Sequence, residues 1–190
     1  MKKIISLVAL TILSFAAVAQ TKGDKYVGIG LGCSLQKSDN AGIVKSSIQF
    51  AGQSELAFFP SDNFRLAVAF GANYLSGIES SQVSLGFYLN PALSYYFKVA
   101  NGIYYTPELG AIFEKGSIKT NSYYPGDVYP YNGFGAYLDI LSFEVRINNE
   151  VAIGMNMGVL SVSSIKVSNS SPTQLSLKLN SGSLVLRYYL

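Results

Sequence analysis

Residues Val83 to Phe97 read VSLGFYLNPALSYYF, and their order decides the fold. Val83, Leu85, Phe87, Leu89, Pro91, Leu93, Tyr95 and Phe97 alternate with Ser84, Gly86, Tyr88, Asn90, Ala92, Ser94 and Tyr96. A period of two belongs to a β-strand whose faces meet unlike surroundings. The same period extends outward in both directions. Phe64, Leu66, Val68, Phe70, Ala72 and Tyr74 share one face before it, and Ile103, Tyr105, Pro107, Leu109, Ala111 and Phe113 share one after it. Val27 to Leu35 and Val151 to Val159 repeat the pattern. Three segments are less regular. Ile48, Phe50, Leu56 and Phe58 share a face; the apolar set switches parity between Ile140 and Leu141, and again near Asn180 to Gly182, as a bulge requires. The reading predicts eight strands in an up-and-down meander. Tight turns at Pro60-Ser61-Asp62-Asn63, Val99-Ala100-Asn101-Gly102 and Asn148-Asn149-Glu150 alternate with loops at about Gln36–Lys45, Ser76–Gln82, Gly116–Asn132 and Ser163–Thr173.

The two faces settle what surrounds the sheet. In the five regular segments the apolar face carries neither a charge nor a glycine, while the other holds Gly28, Gly30, Gly32, Gly71, Gly86, Gly110, Gly154 and Gly158. A soluble barrel would present Lys and Glu outward. Small, mildly polar residues suit the inside of a narrow barrel, with the apolar face toward lipid. Closure also satisfies the edge hydrogen bonds that hydrocarbon cannot. The expected fold is therefore all-β, an eight-stranded antiparallel up-and-down transmembrane β-barrel.

Composition narrows the chemistry. The 190 residues suffice for one domain, and only 13% are charged, against roughly a quarter in soluble domains. A net charge of +3 is too slight to predict a nucleic-acid partner. With no His, Ser-His and Cys-His catalysis and most zinc sites are excluded; one Cys excludes an internal disulfide. The expected catalytic, metal and cofactor sets are empty. An enzyme resting on carboxylates alone, such as Glu108 with Glu144, is the weakest reading. Gly28-Ile29-Gly30-Leu31-Gly32 lies within a strand with no helix after it, so it reads as inward glycines rather than a phosphate loop. Lys2 and Lys3, an apolar run from Ile4 to about Ala16 and the small-residue site Ala17-Val18-Ala19 form a secretory signal peptide, residues 1–19. Residues 20–190 then form a single domain.

Aromatic residues gather at the turn ends: Phe58, Phe59 and Phe64; Tyr95, Tyr96, Phe97, Tyr104 and Tyr105; Phe143; Tyr188 and Tyr189. From these we expect an interfacial girdle of Phe58, Phe64, Tyr95, Phe97, Tyr105, Phe143 and Tyr188. Every arginine in the chain, Arg65, Arg146 and Arg187, falls on the polar face near a tight turn or the C-terminus, with Glu55, Glu108 and Glu144 on the same face. An isolated charge in a confined lumen costs several kcal/mol, so these six are expected to pair in a network that plugs the bore. Tyr123, Tyr124, Tyr129 and Tyr131 lie in the longest predicted loop, where Tyr and Gly favour recognition of an extracellular ligand.

The signal ending at Ala19-Gln20, the glycine-alternating strand Tyr26 to Leu35, the phrase FFPSDNFRLAVAFG from Phe58 to Gly71 and the terminal Leu186-Arg187-Tyr188-Tyr189-Leu190 together resemble a known family. It is that of the small Gram-negative outer-membrane β-barrel proteins, particularly the porin-like outer membrane protein β-barrel domain common in Bacteroidetes. The resemblance covers the whole chain after the signal. It implies an outer-membrane location, lipid as surroundings, the barrel-assembly machinery as a partner during insertion, and a monomer. Family members usually end on an aromatic residue; Leu190 departs from that. The leading functional expectation is a barrel with a filled lumen and a structural or surface-interaction role through its loops. Passive transport of ions or small solutes is a second reading, and a secreted lipocalin-like binder with its apolar face inward a third.

Overall fold

A computed structural model describes residues 20–40, 43–77, 82–120, 127–157, 159–167, 174–179 and 182–190. The expected signal peptide, Tyr123 and Tyr124 lie outside them. Among these described residues, thirteen antiparallel strands form one sheet: β1 (Lys25–Asn40), β2 (Ile43–Ser61), β3 (Phe64–Gly77), β4 (Gln82–Tyr95), β5 (Phe97–Ala100), β6 (Ile103–Tyr105), β7 (Glu108–Thr120), β8 (Asp127–Asp139), β9 (Ser142–Arg146), β10 (Val151–Asn156), β11 (Val159–Val167), β12 (Gln174–Leu179) and β13 (Gly182–Tyr189). Their hydrogen-bonded order is β12-β11-β8-β7-β4-β3-β2-β1-β13-β10-β9-β6-β5. No helix occurs among the described residues.

The apolar faces point outward. Leu31 is 75% exposed, Phe87 65% and Leu85 48%, whereas the alternate residues Arg65 and Arg187 are each 1% exposed. This inverts the usual order of a water-soluble sheet, where charges face the solvent. Across the sheet the register keeps like with like. Ile29 faces Leu186, Phe70 faces Leu89, and Glu108 faces Asp139.

More segments are seen than the eight strands the period predicts, because the strands are interrupted at Tyr96, at Thr106-Pro107 and at Ile140-Leu141 while in-register hydrogen bonds carry the pairing on. Tyr96, between β4 and β5, gives its N–H to the Asn63 carbonyl at 2.8 Å. Pro107 has no N–H to give, and interrupts the path from β6 to β7. Ile140 and Leu141, where the apolar parity switches, separate β8 from β9. Short bonds bridge the breaks: Thr106 N to Ser142 O is 2.9 Å and Met157 N to Leu141 O is 3.0 Å.

The tight turns fall where expected, at Asp62-Asn63, Asn101-Gly102 and Ile147–Glu150. Asn63 adopts φ 61°, a left-handed conformation that Asn tolerates, and Gly102 adopts φ 73°. Just before the first turn the register shifts by one residue between Phe58 and Ser61. Phe59 shares the inner parity of Glu55 and Ala57 on β2 and is completely buried, while Phe58 on the other face stays exposed. The predicted loops are shorter than the sequence indicates, since β7 continues to Thr120 and β8 begins at Asp127. Polar residues there still form backbone ladders, because pairing needs only the main chain.

The glycines of the inner face have a specific use. Three stand directly opposite a tyrosine on the neighbouring strand: Gly71 opposite Tyr88, Gly110 opposite Tyr137 and Gly116 opposite Tyr131. A Cβ at Gly71 would lie 2.8 Å from the Tyr88 hydroxyl, and one at Gly110 would lie 2.7 Å from that of Tyr137. Each ring thus lies across its glycine in the space a side chain would fill. Gly110→Val is expected to expel the Tyr137 ring and to destabilise the fold by about 1–3 kcal/mol, the cost of overpacking. Urea unfolding of the refolded variant measures this, and an unchanged midpoint would show the ring is free to move aside.

Candidate functional site

Parity along each strand carries the six expected charged residues to one buried cluster at the tight-turn end. Arg65 on β3 lies between Glu55 on β2 and Glu108 on β7: its Nη1 is 3.1 Å from Glu55 Oε1, and its Nη2 pairs with Glu108. Arg187 on β13 joins the two halves of the cluster, with Nη1 2.8 Å from Glu144 Oε2 and Nη2 3.4 Å from Glu55 Oε1. Arg146 on β9 is more open, its Nε 3.6 Å from Glu144 Oε1. Three guanidinium groups and three carboxyl groups therefore form one connected set. Asp139 is fully buried beside it, opposite Glu108, and accepts from Leu141 N at 3.1 Å.

Tyrosines complete the cluster. Tyr26 gives its hydroxyl proton to Glu55 and accepts from Arg65 Nη1 at 2.5 Å. Glu144 accepts from Tyr96 at 2.9 Å and from Tyr189 at 2.8 Å, and Tyr137 donates to Glu108 at 2.5 Å. Arg146 stacks over the Tyr189 ring at 4.1 Å, and Arg187 over Tyr26 at 5.1 Å. Gln20 closes the floor. Its Nε2 reaches Glu144 at 3.4 Å and Tyr189 at 3.3 Å, its Oε1 accepts from Arg146, and its backbone N–H bonds Asn63 Oδ1 at 3.2 Å.

This arrangement leaves little for acid–base chemistry. Glu108 and Glu144 each spend their oxygens on an arginine and on tyrosine hydroxyls. A general acid or base needs a proton path to a substrate, and both side chains are nearly or wholly buried. Among the described residues no group of three His, Cys, Asp or Glu could hold a metal ion.

Farther along the same strands, away from the tight turns, the interior is hollow. A cavity of about 220 Å³ is lined by Gln49, Gln53, Asn73, Tyr88, Asn90 and Glu114, among others. Glu114 accepts from Asn73 Nδ2 at 2.8 Å and from Tyr131 at 2.5 Å. Tyr131, expected in the ligand-binding loop, is instead inside and 4% exposed, because β8 starts earlier than predicted and its parity points this ring inward. Tyr129, two residues before and so of the same parity on β8, is exposed.

Of the expected girdle, Phe58, Tyr95 and Tyr188 are exposed, and Phe64, Phe97, Tyr105 and Phe143 half-buried. Tyr95, Phe97, Tyr105 and Phe143 touch in succession, with ring centroids 4.8, 5.9 and 5.5 Å apart. Phe59, Tyr96, Tyr104 and Tyr189, which share the turn ends, are buried inside instead. Strand parity assigns Tyr26, Tyr96 and Tyr189 to the charged face. Nothing in the sequence pattern marks Gln20, which precedes the first strand.

No protein-family model matches the chain, and no curated protein does. Among solved structures it is similar to Neisserial surface protein A (NspA), with 15% identity, a TM-score of 0.52, and 89% of this chain and 99% of that one covered. It is also similar to the outer membrane protein OprG from Pseudomonas aeruginosa, with 10% identity, a TM-score of 0.52, and 90% and 97% covered. The chain thus shares the all-β antiparallel fold of bacterial outer-membrane β-barrel proteins.

Proposed function

We propose that the chain is an eight-stranded transmembrane β-barrel of a Gram-negative outer membrane, exported by residues 1–19, monomeric, and plugged at its periplasmic end. Its role is structural or one of surface interaction through the loops. The observation that carries this is the inversion of burial: arginines and glutamates inside, large apolar side chains outside. Eight strands result when segments that continue one another are joined: β4 with β5, β6 with β7, β8 with β9, β10 with β11 and β12 with β13. Each joined strand then pairs with its sequence neighbours, and β13 returns to β1 from Tyr26↔Tyr189 to Cys33↔Gly182. Lipid is the surrounding medium, and the barrel-assembly machinery of a Bacteroidetes-like cell is the partner in insertion.

The apolar exterior opposes the lipocalin-like reading, which needs that face turned inward. Transport of ions or small solutes gains support from the polar cavity, but the buried cluster lies across the path on the turn side. In this reading the cluster holds the strands in register and seals the bore.

Three outcomes test the proposal. Unheated protein should migrate differently from boiled protein on a gel and should need detergent to stay monodisperse. Material that is monodisperse in plain buffer would remove the membrane assignment. Leu89→Arg, in the middle of β4 on the outer face, should cost about 2–4 kcal/mol in lipid-refolded protein, as charge on a lipid face does. No cost would mean that the face meets water. Arg65→Ala strands Glu55 and Glu108 without their shared partner and should cost about 3–5 kcal/mol. If it instead opens a steady conductance in planar bilayers at unchanged stability, the cluster is a gate across a pore rather than a fastening.

A further inference from the structure

The outer face changes character toward the loops. On β7 the outward parity runs Leu109, Ala111, Phe113 and then Lys115, Ser117 and Lys119. On β8 it runs Leu138, Ala136, Phe134 and then Asn132, and on β11 it runs Leu160, Val162, Ser164 and then Lys166. β7, β8 and β11 are neighbours in the sheet, and the register sets Lys115 opposite Asn132 and Asn132 opposite Lys166. Lys115, Lys119, Asn132 and Lys166 are all exposed. Three ammonium groups and an amide thus share one patch of the outer wall.

Depth gives this patch its meaning. Lys115 follows Ile103, beside the second tight turn, by twelve residues. At about 3.3 Å per residue and a tilt near 40°, it stands roughly 30 Å above that turn, at the far rim of an apolar band about 25 Å tall. A lysine in the middle of such a band is costly, whereas at the rim its stem lies along the apolar wall and its ammonium group reaches the headgroups. Just below the patch Phe113 faces Phe134, and both rings are exposed. Below them Ala111 faces Ala136, with Leu109 facing Leu138 beneath. The two small residues leave the wall lower there than at the rings above, a shape that an acyl chain can follow.

The sequence keeps acids off this side of the wall. Glu108, Glu114, Asp127 and Asp139, the acidic residues of β7 and β8, all have the inward parity, and β4 and β11 carry none. The stretches 121–126 and 168–173 read NSYYPG and SNSSPT and add none, while Glu79 stands in 78–81, ahead of β4. Paired strands lie about 4.8 Å apart, so the Cα atoms of Lys115 and Lys166 are roughly 10 Å apart, and Lys119 is about 13 Å beyond Lys115 along β7. That spread is wider than one phosphate and matches a headgroup with two. Basic residues at a membrane surface attract anionic lipid, and lysine meets phosphate as a point charge. We infer that this patch binds an anionic glycolipid of the outer leaflet, its sugar phosphates on Lys115, Lys119 and Lys166, its sugar on Asn132 and an acyl chain against Phe113 and Phe134. The inference rests on the membrane-barrel reading above.

The test uses the whole protein refolded in a zwitterionic detergent, with diphosphoryl lipid A as probe and native mass spectrometry to count bound lipid. The wild-type protein should take up one lipid A saturably. Lys115→Gln with Lys119→Gln and Lys166→Gln should bind it at least about tenfold more weakly. Lys22→Gln with Lys25→Gln and Lys98→Gln removes the same charge at the tight-turn end and should bind as the wild type does. Phosphatidylglycerol, with a single phosphate, should bind about tenfold more weakly than lipid A. No saturable uptake, equal losses in the two triple variants, or equal binding of phosphatidylglycerol would overturn the assignment. Displacement of lipid A by an equal concentration of glucosamine 1-phosphate would make a soluble sugar phosphate the ligand and remove the lipid. Heat-modifiable migration of the same samples separates two failures. A barrel that migrates as folded but does not bind removes the patch alone, whereas a wild-type protein without that migration removes the membrane reading as well.

Discussion

A guanidinium group taken out of water costs several kcal/mol unless carboxylates and hydrogen-bond acceptors surround it, and the turn-side half of this fold is organised around meeting that demand. Arg187 illustrates how. It reaches Glu144 on β9 and Glu55 on β2 from a strand that lies between β1 and β10. Its side chain therefore ties together parts of the sheet that share no backbone hydrogen bonds. A slip of one residue in any of these strands would turn a glutamate outward and leave the arginine unpaired. The charges thus specify register, a task to which an outer face of interchangeable Leu, Val and Phe is poorly suited.

The same demand explains the glycines and tyrosines. A narrow interior must hold long charged side chains and still be filled. Tyrosine does both jobs: its ring occupies volume, and its hydroxyl supplies the carboxylates with the hydrogen bonds that arginines do not reach. Tyr137 shows the geometry, lying across Gly110 so that its hydroxyl meets Glu108 two residues away on β7. Alanine at position 110 would already intrude on the ring, because the Cβ itself is what the ring displaces.

Much of this was legible in the alternation of residues, and the parts that were not have separate causes. Parity along β3, β7, β9 and β13 fixes which side Arg65, Glu108, Arg146 and Arg187 occupy, and it also holds for Tyr26 and Tyr189. It holds as well for Phe59, which shares the parity of Glu55 and Ala57 on β2 and is completely buried. Tyr131 reads as a loop residue because its run is rich in Tyr, Pro and Gly, whereas β8 continues through it. Gln20 lies before any strand, so no period assigns it a side; its place in the floor follows from Asn63 and Arg146, which lie far from it in the chain. The division into thirteen segments has a local cause, since Pro107 has no N–H to give and the parity of the apolar residues switches between Ile140 and Leu141.

What distinguishes the two ends of the interior is the balance of charge. At the turn side each carboxyl group of the cluster meets a guanidinium, so packing can close over both. Toward the loops Glu114 meets, among the described residues, the amide of Asn73 and the phenol of Tyr131, and Gln49, Gln53 and Asn90 line the cavity beside it. An acidic group held by an amide and a phenol is more easily kept hydrated than buried, and a cavity around it preserves that access to water. The hollow half and the sealed half therefore follow from one rule applied to different residues. Because every arginine of the chain lies in the three strand ends nearest the turns or the C-terminus, the seal could form only there.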